Sequence, residues 1–222
     1  MKEKGEWRAL VIGFLGAMAG VYGVILFNQF ALMKLSLGLR MASMILTYWL
    51  IAAVPIIIAA VHKTKLSDYG FTKNKLGMQI LSGLAVGAAM SLVFTLLPHL
   101  LGFGEYFSSG KSYRYLWQFV YELCYCILAV GAVEEFVFRG FIYEQIKKSD
   151  KNEMTAVIGS SVLFGLFHIF GGNILQIFMT ALIGAFLCVC RLKIKNCTIL
   201  SLIVAHGVYD WLIVVWTAVL QG

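Results

Sequence analysis

Two adjacent glutamates and an arginine lie inside an apolar stretch of this chain, in the segment EEFVFR at residues 134–139. A charged side chain in the middle of a bilayer costs roughly 2.5–3.5 kcal/mol, so such residues normally face a protein interior or a water-filled cavity. Glu135 and Arg139 share a helix face and are predicted to form a supporting ion pair. Glu134 points about 100° away on a helix. It has no local cation, so its partners must come from elsewhere in the chain.

Two histidines and an aspartate on later apolar segments are the candidate partners of Glu134. His168 lies on one segment, and His206 and Asp210 follow each other at i and i+4 on another, so they share a helix face. Peptide hydrolysis needs a water that loses a proton and groups that hold the developing oxyanion. We expect Glu134 to be the base and His168 to hold the same water. His206 and Asp210 would then face the substrate carbonyl.

The composition is that of a membrane protein. Of the 222 residues 60% are hydrophobic and only 13% are charged, and the mean hydropathy is +0.85. A soluble domain carries about 25% charged residues. The net charge of +7 could suggest a nucleic-acid partner, but the basic residues lie in short loops between apolar runs. That distribution indicates membrane topology instead, and no nucleic-acid partner is expected.

The pattern of apolar runs predicts an all-α fold, a polytopic bundle of about seven transmembrane helices in a single membrane domain, residues 1–222. The first run is long enough to span, so we expect an uncleaved helix rather than a secretory signal. Pro55 and Pro98 are expected to kink their spans. Glycines at positions 13, 16, 20 and 23, and at 83 and 87, are expected to allow close helix contacts. The predicted spans are 7–27, 41–61, 78–101, 117–146, 154–170, 174–190 and 198–220.

Lysine and arginine are distributed unequally between the two sides of this bundle. With Arg139 left out as part of a span, one side carries 13 of them and the other only Lys34, Arg40, Lys111 and Arg114. The positive-inside tendency places the N-terminus in the cytoplasm and the C-terminus outside. We expect an integral protein of the bacterial cytoplasmic membrane, surrounded by lipids. The longest basic loop, residues 62–75, is expected to be solvated near the headgroups.

The depths of the polar residues within their spans are compatible with a single site. Counted from the nearest lysine on the side assigned to the cytoplasm, Glu134 is 13 residues deep, His168 is 17 and His206 is 11. At about 1.5 Å per residue these depths are about 20, 25 and 16 Å. The position of a helix end is defined only to within a few residues, so the differences between these three depths are small enough for one site. Three helices could therefore bring their polar groups to one level.

Three short motifs occur in order on successive apolar segments: Glu-Glu-x-x-x-Arg, then Phe-x-x-x-His, then His-x-x-x-Asp. In this order they resemble the CPBP family (CAAX proteases and bacteriocin-processing enzymes, also called the Abi family), which includes the type II CAAX prenyl endopeptidases. The resemblance covers the second half of the chain and implies a catalytic core at 117–222. It also implies an endopeptidase reached from the cytoplasm that cleaves a peptide or lipid-modified protein. The family's polar positions fall on Glu134, Glu135, Arg139, His168, His206 and Asp210.

The resemblance leaves the role of a metal open, because the family's mechanism is either metal-dependent or a metal-free glutamate mechanism. In the metal-free version the last motif position donates a hydrogen bond to the oxyanion, as Asn does, but this chain has Asp210. An ionised Asp would repel an oxyanion, so it must be protonated, orient His206 or help to bind a divalent ion such as zinc. We favour metal-independent catalysis and commit to no cofactor. The candidate ligands for a metal are Glu134, His168, His206 and Asp210.

Two other classes of protein could use the same polar residues. A proton-coupled transporter or channel would relay protons through membrane-embedded carboxylates and histidines. A non-catalytic membrane partner, for instance in bacteriocin immunity, would need them only for packing. The spacing of Glu-Glu-x-x-x-Arg favours the peptidase.

Overall fold

The computed structural model describes residues 2–103, 113–171 and 174–221, and every regular element in these ranges is a helix. The predicted all-α fold is confirmed. Short 3-10 turns at Leu32–Lys34, Leu66–Tyr69 and His168–Gly171 connect or extend the longer helices. We number the longer helices of the described ranges α1 Lys2–Phe30, α2 Leu37–Tyr48, α3 Leu50–Val61, α4 Leu76–Ser91, α5 Leu116–Asp150, α6 Glu153–Phe167, α7 Ile174–Lys193 and α8 Ile199–Gln221.

Six helical stretches of the described chain are long and apolar enough to cross a membrane. Helices α2 and α3 make a seventh if they are taken as one span bent by 41°. Large apolar side chains such as Leu15, Leu100 and Ile174 are exposed on the outside of the bundle. In a bilayer the hydrocarbon would cover them. The chain is therefore a polytopic integral membrane protein, and the seven predicted spans are reached when α2 and α3 are counted as one span.

One of the two prolines lies at a break in regular α-helix. Pro55 lies inside α3, which continues past it, and the bend in this part of the chain lies at Trp49, between α2 and α3. Pro98 lies between two π-helical segments, Leu92–Leu96 and His99–Phe103, which extend α4. The bend between α2 and α3 has a consequence for the site, because it leaves the last residue of α2 facing the centre of the bundle.

The basic loop is anchored on the bundle, which differs in part from the sequence prediction. Its lysines at 63, 65, 73 and 75 are exposed, in agreement with a solvated loop. Tyr69, however, is 1% exposed and packs edge-on against Phe136 of α5, with 5.7 Å between ring centres. Burial raises the pKa of the Tyr69 phenol, so it stays neutral at physiological pH. Most of the predicted polar connection at 102–115, including Lys111, lies outside the described residues.

Helix α5 is interrupted by two π-helical segments, Cys126–Gly131 and Phe136–Ile142. Between them a single α-helical turn, Ala132–Glu135, carries both glutamates. A π-helical segment has wider turns than an α-helix, changes the direction of the side chains that follow it and is often found at functional sites. The irregular helix therefore sets the directions in which the two carboxylates point.

Helices α5 and α8 cross in close contact at two glycines. A Cβ added at Gly131 would lie 2.7 Å from the carbonyl oxygen of Ile203, and one at Gly207 would lie 2.7 Å from the Cα of Ile127. Real Cβ atoms do not approach so closely, so only glycine permits this crossing. Because Gly207 follows His206 directly, the crossing brings that histidine against the glutamates of α5.

Most of the glycines predicted to mediate helix contacts do so. Gly16 and Gly20 of α1 lie against α3, and Gly83 and Gly87 of α4 lie against α8. Gly23 is the exception, because nothing lies within 4 Å of the position of its Cβ. Small residues allow helix backbones to approach closely in a membrane, where the hydrophobic effect does not drive association. These glycines pack α1 against α3 and α4 against α8.

Candidate active site

Glu135, Arg139 and His206 form a buried polar cluster between α5 and α8. Arg139 donates from Nη1 to Oε1 of Glu135 at 3.0 Å, and both side chains are fully buried. The same carboxylate oxygen lies 2.7 Å from Nδ1 of His206. The predicted ion pair is therefore present, and it has a third member from another helix. Because this oxygen contacts two nitrogens, the Glu135 carboxylate is held firmly in place.

Arg139 is held by an aromatic ring and by close packing in addition to Glu135. Its guanidinium lies over the face of Phe164 at 4.0 Å from the ring centre, a cation–π contact. Gly184 of α7 makes room for it, since a Cβ there would lie 3.0 Å from Nη2 of Arg139. Arg191 of α7 donates to the backbone carbonyl of Arg139 at 2.6 Å. Arg139 thus connects α5, α6 and α7 at the base of the cluster.

Glu134 points away from this cluster and has one free carboxylate oxygen. Tyr48, the last residue of α2, donates its hydroxyl hydrogen bond to Oε1 of Glu134. Oε2 makes no hydrogen bond and lies 3.8 Å from Nε2 of His206. The residue is only 2% exposed. An anchored carboxylate with one free oxygen is suited to take a proton from a bound water.

The two ring nitrogens of His206 face different carboxylates. Nδ1 faces Glu135, whereas Nε2 lies 3.5 Å from Oδ2 of Asp210 and 3.8 Å from Oε2 of Glu134. A hydrogen bond at one ring nitrogen fixes the orientation of the imidazole and defines the chemistry of the other nitrogen. The contact at Nδ1, which orients the ring, is therefore made by Glu135, and Asp210 lies on the side of Nε2.

His168 lies at the end of α6, where the α-helix gives way to a 3-10 turn. The predicted span 154–170 agrees with the helical stretch Glu153–Gly171, in which the α-helix ends at Phe167 and the last turn is 3-10. Nδ1 of His168 is 2.9 Å from the carbonyl oxygen of Phe164. A carbonyl can only accept, so Nδ1 carries the proton and Nε2 is free to bind a water. Edge contacts with Phe164 and Phe167, at 4.9 and 5.3 Å between ring centres, hold the imidazole in place.

A cavity of about 480 Å³ brings together four of the six residues that the sequence motifs select. Glu134, His168, His206 and Asp210 line it. Glu135 and Arg139 do not; they support the wall from behind. The remaining lining is mostly apolar and comes from α5, α6, α7 and α8, with Tyr48 from α2. A partly apolar cavity with a few converging polar groups is the usual form of a binding site.

The polar residues of the cavity do not form a coordination group for a metal as they are placed. Among the described residues, no set of three or more His, Cys, Asp or Glu side chains is arranged to hold a metal ion. Nδ1 of His206 contacts Glu135 and Nδ1 of His168 contacts a backbone carbonyl, so a metal could be reached only by Nε2 of each ring. The four candidate ligands line one cavity without forming such a set in this structure.

Tyr48 is the residue of this site that the sequence analysis does not select. It lies far from every motif, in the predicted span 41–61, and no charged neighbour marks it. A weaker signal is present, because a phenol inside a membrane span needs a hydrogen-bond partner. Its ring packs edge-on against Tyr125 of α5 at 5.9 Å between ring centres. That packing aims the hydroxyl at Glu134.

The fold and the site together define a class: an all-helical membrane protein with a buried glutamate and histidine centre. The chain carries the signature of a family as well, since residues 116–212 match the family model described as type II CAAX prenyl endopeptidase Rce1-like. The matched range contains all six residues that the motifs select, so the resemblance to the CAAX protease family is confirmed. No curated protein and no solved structure matches the chain.

Proposed function

We propose that this protein is an intramembrane endopeptidase that cleaves a membrane-associated peptide or a lipid-modified protein of the CAAX type. The observation that carries the proposal is that Glu134, whose Oε2 makes no hydrogen bond, lines one cavity together with His168, His206 and Asp210. The family match over residues 116–212 supports the same reaction. A peptidase needs such a cavity, because the peptide bond, the water and the base must meet in one place.

Glu134 and His168 activate the water in this proposal. The water lies between Oε2 of Glu134 and Nε2 of His168, and Glu134 takes its proton as the hydroxide attacks the peptide carbonyl. Tyr48 keeps the carboxylate pointed at the water through its bond to Oε1. When the tetrahedral intermediate collapses, the C–N bond breaks. Glu134 returns the proton to the leaving amine, which gives one new carboxylate and one new amine.

His206 stabilises the oxyanion. Its Nε2 carries a proton and donates to the carbonyl oxygen as negative charge develops there. Glu135 compensates the positive charge of the ring, at 2.7 Å from Nδ1. Glu135 and Arg139 act as positioning residues, since they reach the reaction only through His206.

The catalytic core is assigned to residues 117–222 within a single membrane domain. The first half contributes as well in this proposal, because Tyr48 makes a hydrogen bond to Glu134, the proposed base. We place the N-terminus in the cytoplasm on the charge distribution of 13 against 4 basic residues. Reporter fusions at the two ends test this orientation, and finding both ends on one side would overturn it.

The proposed activity is tested with purified full-length protein in detergent micelles and a digest of cell membranes as the peptide mixture. Mass spectrometry identifies peptide ends that appear with the wild-type protein. The proposal expects new ends that are absent when Glu134→Gln replaces the wild type. If no new ends depended on Glu134, the proposed activity would be wrong.

A further inference from the structure

The basic loop, the ends of α5 and α7 and the start of α8 form one surface of the bundle, which we call the basic side. Gly70 of the loop accepts a hydrogen bond from the backbone N–H of Ile199, the first residue of α8, at 3.5 Å. Arg191, near the end of α7, pairs with Glu144 of α5 at 3.1 Å. This is the side that we assign to the cytoplasm from its basic residues. At the opposite side α5 and α7 begin, and α6 and α8 end.

The cavity that contains Glu134 extends from the reacting groups toward the opposite side. Its wall on α7, between Leu175 and Ile183, belongs to the first half of that helix. Its wall on α8 runs from His206 to Ile213 and so leads away from the basic side. On α5 the cavity is lined by Glu134 and by Val130, which lies one turn nearer to the opposite side. Three helices therefore give the cavity the same direction.

The open end of this space lies where α6 ends and α7 begins. Phe170 and Gly171 line a second cavity, of about 260 Å³, and Gln176 and Glu134 line both cavities. Phe170 and Leu175 are each 48% exposed, and Gln176 is exposed as well. Because exposed residues of the opposite side line both cavities, each cavity is open on that side.

Packed side chains close the basic side of the reacting groups in the described part of the chain. The parts of α5, α7 and α8 that lead to that side contain side chains at 0% exposure: Phe138, Phe141, Ile142, Leu187, Ile199 and Leu202. Tyr69 of the basic loop packs against Phe136 and Phe141, at 5.7 and 6.2 Å between ring centres. A protein interior packed in this way has no room for a peptide. Entry from the basic side would also separate the buried pair of Arg139 and Glu135.

We infer that peptides reach Glu134 from the opposite side of the bundle, which the charge distribution places outside the cytoplasm. The inference rests on the proposed function and adds the side of the membrane on which cleavage occurs. The substrate is then an exported peptide or the outer end of a membrane-spanning segment. The family resemblance implies access from the cytoplasm instead. A lipid-modified protein that stays on the cytoplasmic face would not reach a cavity with this direction.

Thr180 is the position through which the side of entry is tested. It lines the cavity of about 480 Å³, and its hydroxyl donates to the carbonyl oxygen of Gln176, one turn earlier on the same helix, at 2.7 Å. Thr180→Cys therefore places a thiol of similar size in the cavity. Phe178→Cys is the matched control, because Phe178 lies on the same helix, is 68% exposed and does not line either cavity. In a bilayer its thiol would face hydrocarbon, where the reactive thiolate does not form.

The experiment treats cells that carry the full-length protein with a membrane-impermeant maleimide, before and after the cells are opened. Lys151→Cys, in the exposed connection between α5 and α6, reports the basic side. Every variant also carries Cys124→Ser, because Cys124 is exposed and the other four cysteines are buried. We expect Thr180→Cys to be labelled equally in intact and opened cells. Lys151→Cys should gain its label only when the cells are opened, and Phe178→Cys should gain none.

Four results would overturn the inference. In the first, Thr180→Cys is labelled only in opened cells, as Lys151→Cys is, which would mean entry from the cytoplasm. In the second, Lys151→Cys is labelled in intact cells, so the basic side lies outside. In the third, Phe178→Cys is labelled as readily as Thr180→Cys, so labelling does not follow the cavity. In the fourth, Thr180→Cys stays unlabelled in opened cells, so the cavity is closed to water.

A second measurement separates this inference from the proposed function. Peptide ends are compared between intact cells with the wild-type protein and cells with Glu134→Gln, and each new end is assigned to one side of the membrane. We expect the ends that depend on Glu134 to lie in exported peptides or in outer segments of membrane proteins. Ends confined to the cytoplasmic side would overturn the inference and leave the peptidase intact. A complete absence of such ends, with labelling as expected, would overturn the peptidase and leave the direction of the cavity established.

Discussion

Oε1 of Glu135 contacts both Nη1 of Arg139, at 3.0 Å, and Nδ1 of His206, at 2.7 Å. One carboxylate oxygen thus joins two helices, α5 and α8, and fixes the imidazole ring that faces the cavity. Oε2 has no hydrogen-bond partner in either Glu134 or Glu135, but Glu134 lines the cavity and Glu135 does not. The two adjacent glutamates therefore have different environments, and we propose different roles for them: Glu134 reacts, and Glu135 positions.

Replacing Glu135 with Gln should destabilise the protein and reduce its activity. The substitution leaves Arg139 charged and fully buried without a counter-ion. Breaking a buried pair on one side costs about 3–5 kcal/mol. We expect lower accumulation and a lower thermal midpoint in detergent. Glu153→Gln is the control, since its pair with Lys147 is exposed, at 50% and 43%, and an exposed pair contributes about 0–1 kcal/mol. Equal stability of the two variants would contradict the assignment.

Tyr48→Phe should slow turnover without unfolding the protein. The ring and its packing remain, but the hydrogen bond to Glu134 is lost. A hydrogen bond to a charged group contributes about 1.5–3 kcal/mol, which corresponds to about ten- to hundredfold in rate if it is needed in the transition state. The control is Tyr125→Phe, which changes the adjacent ring and leaves the bond to Glu134 intact. Wild-type turnover in Tyr48→Phe would show that the contact does not serve catalysis.

Gly207→Ala should separate α5 from α8 and misplace His206. The added Cβ would lie 2.6 Å from Cγ1 and 2.7 Å from Cα of Ile127. Such overpacking costs about 1–3 kcal/mol and moves the backbone. We expect a loss of activity together with a lower thermal midpoint. Gly23→Ala is the control, because nothing lies within 4 Å of its Cβ position. If Gly207→Ala kept full activity, the close crossing would not be needed to place the histidine.

Asp210→Asn should retain much of the activity, and chelators should leave the wild type active. The orienting contact of His206 is made by Glu135, and an Asn at 210 can still bond to the ring or to the oxyanion. Turnover of the variant and of chelator-treated wild type, with elemental analysis of purified protein, checks both statements. The metal-free account is overturned if there is about one zinc per chain that is lost together with activity in His168→Ala.

Much of the fold follows from patterns that are local in the sequence. The apolar runs give the spans because about 20 apolar residues are needed to cross a bilayer. The motif spacing gives the pair of Glu135 and Arg139, since residues four apart share a helix face. The order and depth of the motifs also predict that Glu134, His168 and His206 meet, and they line one cavity.

The remaining features depend on contacts between distant segments. Tyr48 reaches Glu134 only because α2 ends at the bend before α3, and no local pattern gives that direction. His206 joins the pair of Glu135 and Arg139 because α5 and α8 cross closely at two glycines. No periodic pattern in the sequence predicts the π-helical segments on either side of the glutamates. Tertiary packing determines all three.

The central claim is that Glu134 is the base of a peptidase, and its most direct test is the rate of product formation in Glu134→Gln. The substitution keeps the size of the side chain and can keep the bond to Tyr48, so the thermal midpoint should stay close to that of wild type. Removing a general base lowers the rate by about 10²–10⁴-fold. The measurement follows a peptide end produced by wild-type protein, with both proteins folded and at equal concentration. We expect this product to fall to background in Glu134→Gln, and its formation at the wild-type rate would show that Glu134 is not the base.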